Sequence, residues 1–191
     1  MSKRVRVFAA GLIAATAALA PMSPAFAHDT TLSLYDSNTQ WFYGSSGSGY
    51  YAAMTISTNT SLTDGHRKFR INSGTTTGGV YYSGPYGDSG VTSKTLDQTW
   101  TITMKNTGAT SCSVGAPGGF SCTISSNTLT YKDTNAFGAT KPTSASLPAT
   151  TFVDSNSEWE HVTIHSAWKA TYAISGTTYS RTVGENNIHY R

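Results

Sequence analysis

The chain has 191 residues, with thirteen Lys and Arg against ten Asp and Glu, and aromatic residues as frequent as charged ones at 12% each. Three of the basic residues, Lys3, Arg4 and Arg6, stand at the extreme N-terminus, so the remainder balances at ten basic against ten acidic. A neutral, Gly/Ser/Thr-rich body excludes recognition of a polyanion driven by net charge, and no nucleic-acid partner is expected.

In chain order, the basic start is followed by an apolar run from Val7 to Ala20, then Pro21 and Pro24, then Ala25-Phe26-Ala27. This order of features reads as a secretory signal peptide over residues 1–27, with cleavage before His28 and a secreted, extracellular product. The leader is of the Ala-rich kind and is similar to those of high-GC Gram-positive bacteria, a likeness that covers only the removed segment. No later apolar run is long enough for a transmembrane helix, so no membrane span is expected.

Residues 28–191 are a suitable length for one domain. Period-2 alternation first shows at Leu32/Leu34 and then at Tyr50/Ala52/Met54/Ile56, on either side of a Gly44-Ser-Ser-Gly-Ser-Gly49 segment read as a hairpin tip. Phe69/Ile71 alternates with Arg67, Lys68 and Arg70, the pattern of a strand with one wet face. The clearest segment is Thr99–Lys105, which sends Trp100, Ile102 and Met104 to one side and threonines to the other.

Cys112 and Cys122 enclose Gly115, Pro117, Gly118 and Gly119. In an oxidising compartment this spacing predicts a disulfide bond closing a hairpin. Leu129/Tyr131 marks a further strand, and Lys141–Thr151, with Pro142 and Pro148, reads as an extended crossover between sheets. The longest candidate strand is Glu158–Ile174. Val162, Ile164, Trp168, Ala170, Tyr172 and Ile174 share its core side, and Trp159, His161, Thr163, His165 and Lys169 the other. Ser175-Gly176 then turns the chain into a partner strand starting at Thr177. About nine to eleven short strands with short turns predict an all-β domain, a two-sheet antiparallel sandwich or jelly roll.

Several residues invite functional readings. A mature N-terminal His28 offers an α-amine and an imidazole to copper, as in secreted copper monooxygenases and copper carriers, with His66, His161, His165 or His189 as the further ligand. His161 and His165 would lie about 13 Å apart on one strand face and so do not chelate as a pair. Glu158 and Glu160, about 6.6 Å apart, suit paired carboxylates in glycoside hydrolysis, although such pairs normally face each other across a cleft. In composition alone the chain is similar to xylanases, with no Glu in a matching motif. The glycine-rich segment matches neither a nucleophile elbow nor a phosphate loop.

The aromatic residues carry the main expectation. Trp41, Tyr43, Tyr50 and Tyr51 flank the first glycine-rich tip, and Tyr81, Tyr82 and Tyr86 surround Gly84-Pro85. Adjacent aromatics on a strand point to opposite faces, so some must lie outside the core, where rings with polar tips suit sugars or protein partners. The sequence therefore predicts a secreted, non-enzymatic binding protein that recognises carbohydrate or an extracellular protein through loop aromatics, with no required cofactor. A polysaccharide-active enzyme and a protease inhibitor or toxin using the Ser113–Ser121 loop stand as alternatives.

Overall fold

A computed structural model describes residues 30–63, 65–105, 118–153 and 159–190. Among these, the regular structure is eleven strands: β1 (Thr30–Ser45), β2 (Ser48–Thr63), β3 (Lys68–Gly84), β4 (Gly87–Val91), β5 (Thr95–Lys105), β6 (Ser121–Ser125), β7 (Thr128–Ala136), β8 (Thr143–Leu147), β9 (Thr150–Val153), β10 (His161–Ile174) and β11 (Thr177–Tyr190). β-Branched and aromatic side chains at alternate positions favour a pleated, half-buried surface, and two such surfaces meet here as a sandwich.

One sheet runs β1-β2-β3 and then divides, because the second edge of β3 is covered in succession by β4, β8 and β9. The other runs β11-β10-β5-β7-β6, and every pairing in both is antiparallel. The sheets do not close into a barrel through a backbone ladder, and their order does not single out a jelly roll. Side chains join them along one side: Asn38 Nδ2 donates to Gly184 O at 3.0 Å, Arg181 Nε to Trp41 O at 2.9 Å and Asn187 Nδ2 to Leu34 O at 3.4 Å. The bonds to Trp41 O and Leu34 O occupy carbonyls of the edge strand β1, which would otherwise template pairing with another chain.

The alternating segments behave as their periodicity predicts. Trp100, Ile102 and Met104 are fully buried, as are Ile164 and Trp168, with Val162 and Ala170 close to it. At the β10–β11 turn Ser175 and Gly176 have φ of 49° and 84°, and at the β6–β7 turn Ser126 and Asn127 have 45° and 62°. Positive φ at both central residues is the type I′ geometry that matches strand twist.

A polar thread crosses this core. Thr76 Oγ1 donates to Thr55 O at 2.8 Å while accepting from Ser166 Oγ at 3.0 Å and Trp168 Nε1 at 2.8 Å. Gln98 continues the thread, donating to Ser166 Oγ at 3.3 Å and accepting from Asn135 Nδ2 at 2.9 Å. Both capacities of each buried hydroxyl are thereby used, which removes the cost of enclosing it.

Four expectations need correction. Trp159 does not share the wet face of β10: the strand begins at His161, and Trp159, 1% exposed, plugs the core while donating through Nε1 to Arg67 O at 3.1 Å. The longest strand is β3, not the segment from Glu158. Lys141–Thr151 is no bare crossover, since β8 within it and β9, which begins at its end, pair with β3 on either side of the break at Pro148, which has no N–H to give a ladder. The bridged hairpin is also not found as a described feature. No disulfide pair is found among the described residues, because Cys112 lies outside them. Cys122, which is not a free thiol, sits opposite Tyr131 in a hairpin with the strand that follows it. The leader and His28 likewise lie outside the described residues, so nothing in the fold supports a signal peptide.

Candidate functional site

Three hairpin tips gather at one end of the sandwich. The β1–β2 and β3–β4 tips are adjacent because Gly49 pairs with Ser83, and the β10–β11 tip joins them through ring contact between Tyr50 and Tyr172, 5.0 Å between centroids. Alternation then sorts the neighbouring aromatics between two faces of one sheet.

On the outer face, Trp41, Tyr51 and Tyr81 are direct cross-strand partners and form a row across β1, β2 and β3. The Trp41 and Tyr51 centroids are 5.0 Å apart with a 51° tilt, and those of Tyr51 and Tyr81 are 5.5 Å apart at 18°. Tyr51 and Tyr81 are stacked and Trp41 is tilted against Tyr51, and all three side chains are half-buried, so part of each remains open to solvent.

On the inner face, Tyr50 lies 5.0 Å from Tyr82, and Phe42 lies 6.3 Å from Tyr172, so these rings close the end of the core. A bulge between Trp41 and Tyr43 lets β1 place the buried Phe42 beside the outward Trp41. The Arg181 guanidinium lies 5.8 Å over the Phe42 ring while bonding the Trp41 carbonyl, which fixes the edge of the outer row.

The sequence expectation of seven aromatics therefore divides into three groups. Trp41, Tyr51 and Tyr81 form the outer row on strands rather than loops. Tyr50 and Tyr82 pack inward. Tyr43, 64% exposed, and Tyr86, fully exposed, stand at the tips.

Sequence reading missed Asp88, whose isolated position carries no motif. Tyr51 Oη donates to Asp88 Oδ2 at 2.8 Å. The bonds from Tyr51 and then from Ser83 hold the Asp88 carboxyl below the usual carboxylate range. Burial, followed by the same hydrogen bond, keeps the Tyr51 phenol well above its ordinary value, so it remains a donor through alkaline pH. Ser83 in turn accepts from Gly47 N at 3.1 Å, tying this carboxylate to the first tip. The result is a solvent-facing acceptor of fixed direction beside partly bare aromatic rings.

A carboxyl with a depressed folded-state pKa adds stability above its unfolded pKa and loses it as pH falls through the folded value. Tyr51→Phe removes the largest cause of that depression. The Asp88 carboxyl should then titrate at higher pH, as read from its side-chain carbon resonance in an NMR titration, and its stability increment should shrink to what the Ser83 bond still supplies.

The other candidates do not converge. Glu160 precedes β10 and pairs with Lys105 Nζ at 3.4 Å, while Glu158 lies outside the described residues. His161 Nε2 lies 2.8 Å from Thr163 Oγ1, and His165 Nδ1 lies 2.8 Å from Asn186 Oδ1. His66 sits in the turn before β3, and the His189 side chain is outside what is described. Among the described residues no three His, Cys, Asp or Glu side chains group closely enough to hold a metal ion. Compared with protein-family models, curated proteins and solved structures, the chain matches none.

Proposed function

We propose that this chain is a non-enzymatic binding module that takes carbohydrate on the outer face of its six-stranded sheet. The observation that carries this reading is the Trp41–Tyr51–Tyr81 row beside the hydrogen-bonded carboxylate of Asp88. Bare ring faces receive the apolar C–H faces of a sugar, and a fixed carboxylate accepts from its hydroxyls. No second carboxylate among the described residues shares this face, and glycoside hydrolysis normally needs two.

The test is affinity for polysaccharide, with released reducing ends measured in the same sample. Retention without products, weakened at least about tenfold in Trp41→Ala as expected for an aromatic anchor, supports the module. Product release moves the chain to the enzymes.

A protein ligand is the second reading, favoured by the exposure of Tyr43 and Tyr86 on Gly/Ser-rich tips, a composition suited to adaptable protein recognition. It predicts that Tyr43→Ala and Tyr86→Ala abolish capture of the partner while Trp41→Ala leaves it unchanged.

A further inference from the structure

We infer that the ligand is a neutral polysaccharide whose chain lies across the strands of the six-stranded sheet, in a charge-free band bounded by the aromatic row. This rests on the carbohydrate reading and narrows it to one class of glycan and one direction.

Register arranges the outer face into rows. Next to Trp41–Tyr51–Tyr81 comes a row of small side chains, Thr39, Ala53 and Gly79. Beyond it lie Ser37, Thr55, Thr77 and Ser144, and then Tyr35, Ser57, Thr75 and Ser146. Small residues between a wall of rings and a bank of hydroxyls make a trough that runs perpendicular to the strands. Pro142 ends it at β3, where Cβ atoms built on Gly79 and Gly90 would meet that ring at 2.5 and 2.9 Å. At the β1 side it opens over the sheet edge. Tyr35, 69% exposed, puts another ring on the same face of β1, about 20 Å from Trp41 by strand rise.

These rows contain no charged residue. Charge on this face begins with Asp88 above the aromatic row, and with Arg70 and Lys68 beyond the register shift at Asn59. The second sheet supplies an internal control. Its outer face is equally rich in threonine, yet the corresponding rows carry Lys105, Lys132, Lys169, Asp97 and His165. Threonine on a wet strand thus does not by itself exclude charge in this protein.

A wide surface without charge sacrifices the solubility that Lys and Glu provide. It suits an uncharged polyol. Hydroxyls already bonded to one another, such as Thr77 Oγ1 and Ser144 Oγ at 2.8 Å, exchange water for sugar hydroxyls, and methyl groups and rings receive the C–H faces. An anionic glycan finds no cation in the band to replace its lost hydration.

The experiment measures retention of the full-length protein on cellulose, starch and β-1,3-glucan, and on polygalacturonate and chitosan, at low and high salt. Thr39→Lys, on an exposed edge-strand position, is the test variant, and Thr134→Lys, exposed on the other sheet, is its control. Circular dichroism establishes that both fold. Expected are salt-insensitive retention on at least one neutral polymer, a loss of about tenfold or more in Thr39→Lys because an ammonium is desolvated there, and no loss in Thr134→Lys. Preference for polygalacturonate or chitosan, reversed by salt, overturns neutral selectivity and leaves the carbohydrate reading standing. Neutral binding indifferent to Thr39→Lys overturns the trough. Retention on none of the five polymers overturns both.

Discussion

Gly78→Ala should destabilise the protein by at least about 3 kcal/mol, lowering Tm by roughly 6–12 °C for a domain of this size. A Cβ at Gly78 would stand 2.3 Å from the Trp168 ring, well inside contact distance. Trp168 has nowhere to retreat: it is fully buried, stacks on Phe137 at 5.5 Å and is held through Nε1 by Thr76. The glycine is required here for close approach, since Gly78 shows no positive φ. Thermal unfolding by circular dichroism reads the loss, and a Tm within 2 °C or so of the native value would mean that this contact is easily relieved.

Thr76→Val should cost about 2–4 kcal/mol although it keeps the shape and the β-branch. The substitution removes the one oxygen that accepts from both Ser166 Oγ and Trp168 Nε1, leaving two buried donors without that acceptor. Thr76→Ser retains that oxygen and should lose less. Chemical denaturation separates the three proteins, and faster hydrogen exchange at the Trp168 indole locates the cause. Because Gly78 and Thr76 both act on Trp168, the combined variant should be less unstable than the sum of its parts. Additive losses would place the Trp168 bond outside the network.

How much of this was legible beforehand depended on the physics of each segment. Trp100, Ile102 and Met104 could be assigned inward because strict alternation on a strand admits one buried face. The Ser175-Gly176 turn could be placed because few residues accept its backbone geometry. Trp159 could not, since alternation carries no information past the end of a strand and only contact with the turn at His66 and Arg67 draws it inward. Ser166, a hydroxyl on the core side of β10, becomes intelligible only with Thr76 from the opposite sheet.

The candidate site divides in the same way. That Tyr50 and Tyr51, or Tyr81 and Tyr82, point apart follows from neighbouring positions on a pleated strand. Which of each pair faces water, and that Trp41, Tyr51 and Tyr81 meet in one row with Asp88, depends on register among four strands. Sequence by itself determined the strand class, the alternation and the main turns, because those arise from interactions within a few residues. Tertiary structure alone decided the row, the charge-free band and the buried thread through Thr76. Each is made of side chains brought together across strands, and pairing partners distant along the chain leave no local periodicity to read.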